Sequence, residues 1–105
     1  MMKDMTPQIS VTELKELRSN NTNHLLIDVR EQDEYDAGHI DGSILIPKAT
    51  ITNKIAEVAP DKGQLIVLHC AAGRRSDLCA DALLGMGYTN VKSLTGGFTA
   101  WSQQA

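Results

Sequence analysis

The chain has 105 residues, of which 42% are hydrophobic, 22% are charged and only 4% are aromatic, so it suits one domain with a mainly aliphatic core. Its formal net charge of −3 and the lack of a basic stripe argue against nucleic-acid binding, because phosphate contacts need a concentrated basic face. No run approaches the roughly 18 apolar residues of a membrane span, and residues 1–8 lack the apolar segment of a signal peptide. We therefore expect a cytoplasmic protein with no membrane partner.

In the first half of the chain, helical and strand patterns alternate. Ser10 and Glu13 match a capping box, in which a serine and a glutamate three residues later bind free backbone N–H groups. Leucines at helical spacing then predict an amphipathic helix that ends near residues 20–21. Further elements follow as a buried strand over 24–29, a short helix over 31–37, a strand over 43–46 and a helix over 50–59.

The second half continues the alternation. It contains a buried strand over 65–68, a helix over 76–86, a strand over 91–94 and a terminal helix from residue 96. Strands that alternate with helices predict an α/β domain, with a mainly parallel sheet of about five short strands flanked by helices on both faces. No repeat or linker divides the sequence, so we expect a single domain over residues 1–105 with its core at about 9–103.

The clearest chemical signal is a cysteine between a strand and a helix. Cys70 ends the apolar run, and the loop that leads to the helix at Ser76 consists of Ala71, Ala72, Gly73, Arg74 and Arg75. If the loop curls around Cys70, its N–H groups and the helix N-terminus point at the sulfur. The thiol pKa of about 8.5 falls to roughly 3.5–7.5 in such settings. Because active sites of open α/β sheets lie beyond the carboxyl ends of the strands, we predict that Cys70 is a nucleophile.

The other cysteine and the histidines do not suggest a second site. Cys79 lies on the buried face of the helix over 76–86, so we interpret it as a small core residue rather than a disulfide partner of Cys70. The three histidines, His24, His39 and His69, lack ligand spacing with the cysteines, and no metal site is predicted.

Three groups of motifs share their order and spacing with a known family. The first comprises Asp28-Val29-Arg30-Glu31, Glu34-Tyr35, Gly38-His39-Ile40, Gly42-Ser43 and Ile46-Pro47. The second is Cys70 to Arg75 with Ser76, a C-x-x-G-x-R-S pattern, and the third is Gly96-Gly97-Phe98 with Ala100-Trp101. From about Ile9 to Trp101 the chain therefore resembles the rhodanese (thiosulfate sulfurtransferase) family, and specifically its small single-domain members.

The resemblance implies a sulfurtransferase with two half-reactions. Cys70 would take a sulfane sulfur from thiosulfate or a similar anion and hold it as a persulfide. A thiophilic acceptor, such as a small thiol or a thioredoxin-like protein, would then remove that sulfur. Residues Ala71 to Arg75 would bind the donor, the two arginines through their charge. The scheme needs neither a metal nor an organic cofactor.

Loop length separates this chemistry from that of related phosphatases. Cys70 to Arg75 counts six residues, as in the sulfurtransferases of the family, whereas the phosphatase loop is one residue longer. The longer loop would need an arginine at the position of Ser76. Since a tighter ring of N–H groups suits a persulfide sulfur and crowds a phosphoryl group, a phosphatase or an arsenate reductase is disfavoured.

Two questions stay open at this point. The chain could instead be a persulfide carrier or a partner-binding module that is fed by a desulfurase. The donor is also open, because Ala71 and Ala72 stand where many active members have a charged or polar residue after the cysteine.

Other residues near the strand ends are interpreted as structural. For Asp28, Arg30, His39 and His69 we favour hydrogen bonding, ion pairing or packing over catalysis. We expect Phe98 and Trp101 to anchor the final helix on the core.

Overall fold

The computed structural model describes residues 6–104. Its strands are β1 (Gln8–Ile9), β2 (Leu25–Asp28), β3 (Ile44–Leu45), β4 (Ile66–His69) and β5 (Val91–Leu94). Its α-helices are α1 (Val11–Ser19), α2 (Gln32–Ala37), α3 (Ile51–Val58), α4 (Arg74–Gly85) and α5 (Gly97–Gln103), and a short 3-10 helix at Lys48–Thr50 precedes α3. Within 6–104, every helix is too short or too polar to span a bilayer. Residues 1–5, on which the signal-peptide expectation partly rests, and residue 105 lie outside the described range.

The five strands of residues 6–104 form one parallel sheet in the order β1-β5-β4-β2-β3. β4 lies at the centre, where Asp28 of β2 is opposite His69 and Ser93 of β5 is opposite Leu68. Parallel neighbours need crossover connections, which the helices supply. The predicted α/β fold with a parallel sheet is confirmed. The carboxyl ends of β2, β4 and β5 meet at one edge of the sheet, and the loop after β4 lies there.

Helices pack on both faces of the sheet. On one face, Ile55 of α3 and Leu83 of α4 belong to the larger apolar cluster. On the other face, a second apolar cluster includes Leu14 of α1, and Phe98 and Trp101 of α5 pack against this cluster. Because both faces are covered, all four residues of β4 are buried. Phe98 and Trp101 anchor α5, as the sequence predicts.

One strand is missing from the predictions and one helix starts two residues earlier than predicted, while the other bounds agree to within one or two residues. β1 is not predicted from the sequence, because a strand of two residues is too short to show a periodic pattern. α4 begins at Arg74 rather than at Ser76, since Gly73 adopts a φ of +112° and turns the chain directly into the helix. Both arginines of the loop are therefore residues of the first helical turn.

The start of α1 agrees with the prediction. Ser10 Oγ accepts a hydrogen bond from the Glu13 N–H at 3.0 Å, and Glu13 Oε1 accepts one from the Ser10 N–H at 2.8 Å. This reciprocal pair satisfies two N–H groups at the helix N-terminus and fixes where the helix begins.

Candidate active site

The loop after β4 folds around the sulfur of Cys70, and we call Cys70–Arg75 the cysteine loop. The Gly73 N–H donates to Cys70 Sγ at 3.0 Å and the Ser76 N–H donates to it at 3.5 Å. The Ser76 hydroxyl oxygen lies 3.6 Å from the same sulfur. Cys70 is only 1% exposed, whereas Ala71 is half-buried and Ala72 is exposed. The sulfur therefore lies in a recess whose inner donors belong mainly to the backbone.

Two opposing effects set the pKa of Cys70. Burial raises the pKa, because it disfavours the charged thiolate. Hydrogen bonds from the backbone and hydroxyl of Ser76, and from the N–H groups of Gly73 and Ala72, favour the thiolate and hold the pKa below its ordinary value. At Cys79 burial prevails and raises the pKa to about 11, so this thiol stays protonated near neutral pH.

The conformation of Gly73 orients the cysteine loop toward the sulfur. Its φ of +112° lies in the left-handed region that favours glycine. In this conformation its N–H faces Cys70, while its carbonyl accepts the Asp77 N–H at 3.0 Å and begins α4. The N-terminal end of this twelve-residue helix carries partial positive charge and lies against the sulfur.

The N-terminus of α5 holds the same loop from behind. The Phe98 N–H donates to the Cys70 carbonyl at 2.8 Å, and the Thr99 N–H donates to the Ala71 carbonyl at 3.0 Å. Gly97 precedes them with a φ of +58°. A Cβ on Gly97 would overlap the Cys70 carbonyl oxygen and lie 2.7 Å from that of Ala71, so the close approach requires glycine.

Arg75 is held across the loop by a carboxylate of α2. Its Nη1 donates to Glu34 Oε1 at 2.7 Å and its Nη2 donates to Glu34 Oε2 at 2.9 Å, a bidentate ion pair. The hydrogen bond from Arg75 lowers the pKa of Glu34 to about 2, and the pKa of Arg75 is raised in return. Arg74, in contrast, is exposed, and its side chain has no partner within residues 6–104. The charge of Arg75 is therefore paired with a carboxylate, whereas the charge of Arg74 faces solvent.

Replacing Glu34 by glutamine is expected to lower the melting temperature near neutral pH by about 2–4 °C and to flatten its acid dependence. The folded-state pKa of about 2 lies below the ordinary 4.5, so the ion pair stabilises the fold above about pH 4.5 and is lost as the pH falls toward 2. Thermal melts across this pH range measure the effect. Glu57→Gln, at an exposed carboxylate, is the control. If the difference in melting temperature between wild type and Glu34→Gln stays the same as the pH falls, the prediction is contradicted.

A buried ionic cluster lies beneath the cysteine loop. Arg30 Nε and Nη2 donate to the Asp28 carboxylate at 2.8–3.1 Å, and Nη2 also donates to the Gly38 carbonyl at 2.7 Å. His69 Nε2 is 3.6 Å from Asp28 Oδ2, and its Nδ1 is 3.3 Å from the carbonyl oxygen of Cys70. Burial lowers the pKa of His69 and thereby favours the neutral ring. These contacts tie β2, β4 and the loop after α2 together, in keeping with the structural roles predicted for them.

His39 also makes the structural hydrogen bond that the sequence predicts. Its Nδ1 is 2.8 Å from the Tyr35 carbonyl oxygen. The two rings stack with their centroids 3.7 Å apart, and the Tyr35 hydroxyl donates to the Ser43 carbonyl at 2.7 Å. These contacts fix the turn between α2 and β3. The side chain of His39 therefore contacts Tyr35, whereas the hydrogen bonds to Cys70 Sγ come from Gly73 and Ser76.

Comparison with known proteins agrees with this arrangement. The family described as a rhodanese-like domain matches residues 10–104. The chain belongs to the rhodanese family.

Named relatives of this rhodanese-like chain include thiosulfate sulfurtransferase PspE of Escherichia coli (strain K12), which is 39% identical over 70 residues, 67% of each protein. The probable adenylyltransferase/sulfurtransferase MoeZ of Mycobacterium tuberculosis is 34% identical over 96 residues, which cover 91% of this chain and 24% of MoeZ. A crystal structure of thiosulfate sulfurtransferase from Pseudomonas aeruginosa matches with a TM-score of 0.88 and 30% identity, over 94% of this chain and 19% of that one. These relatives support a sulfurtransferase, as the sequence predicts, although the chain spans only a minor part of the two larger proteins.

The structure brings together most residues that the sequence singles out, and it adds others. Cys70, Gly73 and Arg75 converge in the cysteine loop of this rhodanese-like domain, while the side chain of Arg74 lies in solvent. The residues that sequence reasoning did not assign to the site are Ser76, Ser93, Gly97 and Glu34. The signal for Gly97 was the Gly-Gly pair before a helix, but no local pattern pairs Glu34 with an arginine 41 positions away.

Proposed function

We propose that this chain moves a sulfane sulfur from thiosulfate or a similar anion to a thiophilic acceptor through a persulfide on Cys70. In the first step the Cys70 thiolate attacks the outer sulfur of thiosulfate, the S–S bond of the donor breaks, and sulfite leaves with the electron pair. In the second step an acceptor thiolate attacks the outer sulfur of the persulfide and restores the Cys70 thiolate. Each step uses groups of the chain and its two substrates alone.

The observation that carries the proposal is the ring of N–H donors on Cys70 Sγ, with Gly73 N at 3.0 Å and Ser76 N at 3.5 Å. Donors at these positions stabilise negative charge on sulfur in the thiolate that attacks and in the thiolate that returns. Cys70 is only 1% exposed, which favours a donor that presents a single terminal sulfur atom over a bulky group. The six-residue length of the cysteine loop also supports sulfur transfer over phosphate chemistry.

The charge around the loop supports an anionic donor. Arg74 is exposed beside the recess and has no ion-pair partner within residues 6–104. Arg75 is held by Glu34, which offsets part of its charge. We therefore propose that Arg74 attracts the donor dianion over distance, whereas Arg75 keeps the loop in shape. Ala71 and Ala72 add no charged or polar side chain beside Cys70.

The experiment that tests the function is intact-mass measurement of the purified protein after incubation with thiosulfate. Loading should add about 32 Da, the mass of one sulfur atom, and cyanide should then remove it as thiocyanate. Cys79→Ala should load like wild type, because that thiol is protonated and buried. Loading of a Cys70→Ser variant to the same extent would sink the assignment of Cys70.

A persulfide carrier is the second candidate function, and the match to one quarter of MoeZ supports it, since there a similar segment is part of a longer adenylyltransferase/sulfurtransferase. A carrier would gain the sulfur mass from a cysteine desulfurase and gain little from thiosulfate. It would pass the sulfur to a protein partner, whereas the enzyme would use a small thiol or a thioredoxin-like protein. Both candidates are proposed to act in the cytoplasm, where thiols stay reduced. Comparing loading rates from the two donors distinguishes them.

A further inference from the structure

A second buried serine lies behind the cysteine loop. Ser93 is the third residue of β5, and its hydroxyl oxygen is 2.7 Å from that of Ser76. Both serines are fully buried. Ser76 Oγ also lies 3.1 Å from the Gly73 carbonyl oxygen and 3.6 Å from Cys70 Sγ. A chain of two hydroxyl groups thus leads from β5 to the sulfur.

Because both hydroxyl groups are buried, the need of each proton for an acceptor determines whether Ser76 or Ser93 donates. Each serine has one hydroxyl proton. Within residues 6–104, the Ser93 hydroxyl has no hydrogen-bond partner other than Ser76, either in a side chain or in the backbone. If Ser76 donated to Ser93, the proton of Ser93 would be buried without an acceptor, which is costly. Ser93 therefore donates and Ser76 accepts.

The hydroxyl proton of Ser76 can then be donated either to the Gly73 carbonyl oxygen or to Cys70 Sγ. The Gly73 carbonyl already accepts the Asp77 N–H at 3.0 Å in the first turn of α4. Cys70 as a thiolate carries a full negative charge and binds a hydroxyl donor more strongly than a neutral carbonyl does. The Ser76 proton therefore turns to the sulfur when Cys70 ionises.

We propose that Ser93 is a positioning residue for Cys70: its hydroxyl donates to Ser76 Oγ and thereby strengthens the hydrogen bond from Ser76 to the cysteine sulfur. Hydrogen bonds in such a chain polarise one another, so loss of the first weakens the second. The inference rests on Cys70 as the reactive residue of the proposed function. It assigns a role in that reaction to a residue that touches neither the donor nor the sulfur.

The test is a pH titration of the Cys70 thiolate, followed by its ultraviolet absorbance in a Cys79→Ala background. Ser93→Ala should raise the midpoint by about half a pH unit, whereas Ser93→Thr, which keeps the hydroxyl, should stay near wild type. Ser43→Ala is the matched control, because Ser43 Oγ is also buried but has no hydrogen-bond partner within residues 6–104, so its loss should leave the midpoint unchanged. The charged and titratable groups near Cys70, namely His69, Arg75 and Glu34, are retained in every variant.

A second comparison separates a relay through Ser76 from a merely structural effect. In a Ser76→Ala background, Ser93→Ala should cause no further change in the midpoint, because the link to the sulfur is already lost. An unchanged midpoint in Ser93→Ala, or an equal shift in both backgrounds, would overturn the proposal. If the alanine variant does not fold, the equally shaped pair Ser93→Thr and Ser93→Val gives the same comparison. The titration needs no sulfur donor, so its result is independent of whether thiosulfate is the substrate.

Discussion

Replacing Cys70 by serine is expected to reduce thiocyanate formation from thiosulfate and cyanide by roughly a thousandfold or more, because a serine hydroxyl does not ionise near neutral pH and cannot form a persulfide. The fold should persist, since serine keeps the size of the side chain and can still accept the Gly73 N–H that now contacts sulfur. Initial rates across a series of thiosulfate concentrations measure the loss.

The control for this prediction is the second cysteine. Cys79→Ala should keep activity within about threefold of wild type, because the Cys79 thiol has a pKa of about 11 and packs in the core. Circular dichroism melts of both variants separate lost chemistry from lost structure. Activity of Cys70→Ser within tenfold of wild type would show that another group is the nucleophile.

Replacing Gly97 by alanine is expected to destabilise the fold by about 3 kcal/mol and to abolish most sulfur transfer. The added Cβ would overlap the carbonyl oxygen of Cys70 and lie 2.7–2.8 Å from carbonyl atoms of Ala71, and backbone atoms cannot rotate away as a side chain can. The loop must shift, which weakens the hydrogen bonds from Phe98 and Thr99. Urea unfolding gives the free energy of unfolding, and the thiocyanate assay gives the activity.

Gly42→Ala is the matched control for Gly97→Ala. Gly42 also has a positive φ, +87°, but a Cβ there would meet no atom of the described residues within 4 Å. The control therefore carries the left-handed strain of about 1–2 kcal/mol without the overlap, and it should leave activity intact. Equal free energies of unfolding in the two variants would mean that the contact with the cysteine loop adds nothing.

The fold could be predicted largely because its elements are locally encoded. The capping box at Ser10 and Glu13 and the apolar run that becomes β4 each contain their own signal. β1 could not be predicted, because its pairing with β5 depends on residues about 85 positions away and two residues carry no period. The sequence predicts the start of α4 two residues too late, because the turn depends on the backbone of Gly73 and not on a polar cap.

In the candidate site, too, the locally encoded features can be predicted and the contacts between distant residues cannot. Cys70 and Gly73 belong to one continuous motif, and their hydrogen bond spans three positions. The partners that shape the loop come from other elements: Glu34 reaches Arg75 from α2, and Ser93 reaches Ser76 from β5. Nothing in the local sequence encodes these contacts, since they exist only after the sheet order is fixed. The sequence thus predicts the candidate nucleophile better than it predicts the residues that orient it.

The hold of α5 on the cysteine loop has a consequence for synthesis of the protein. The helix Gly97–Gln103 leaves the ribosome after every other described element, yet its first N–H groups bind the carbonyls of Cys70 and Ala71. A nascent chain that has already released Cys70 lacks this support, so its thiol keeps the ordinary, higher pKa of an unfolded cysteine. The hydrogen bonds that favour the Cys70 thiolate therefore form only when the domain closes, so the thiol of the growing chain ionises and oxidises less readily than an activated one.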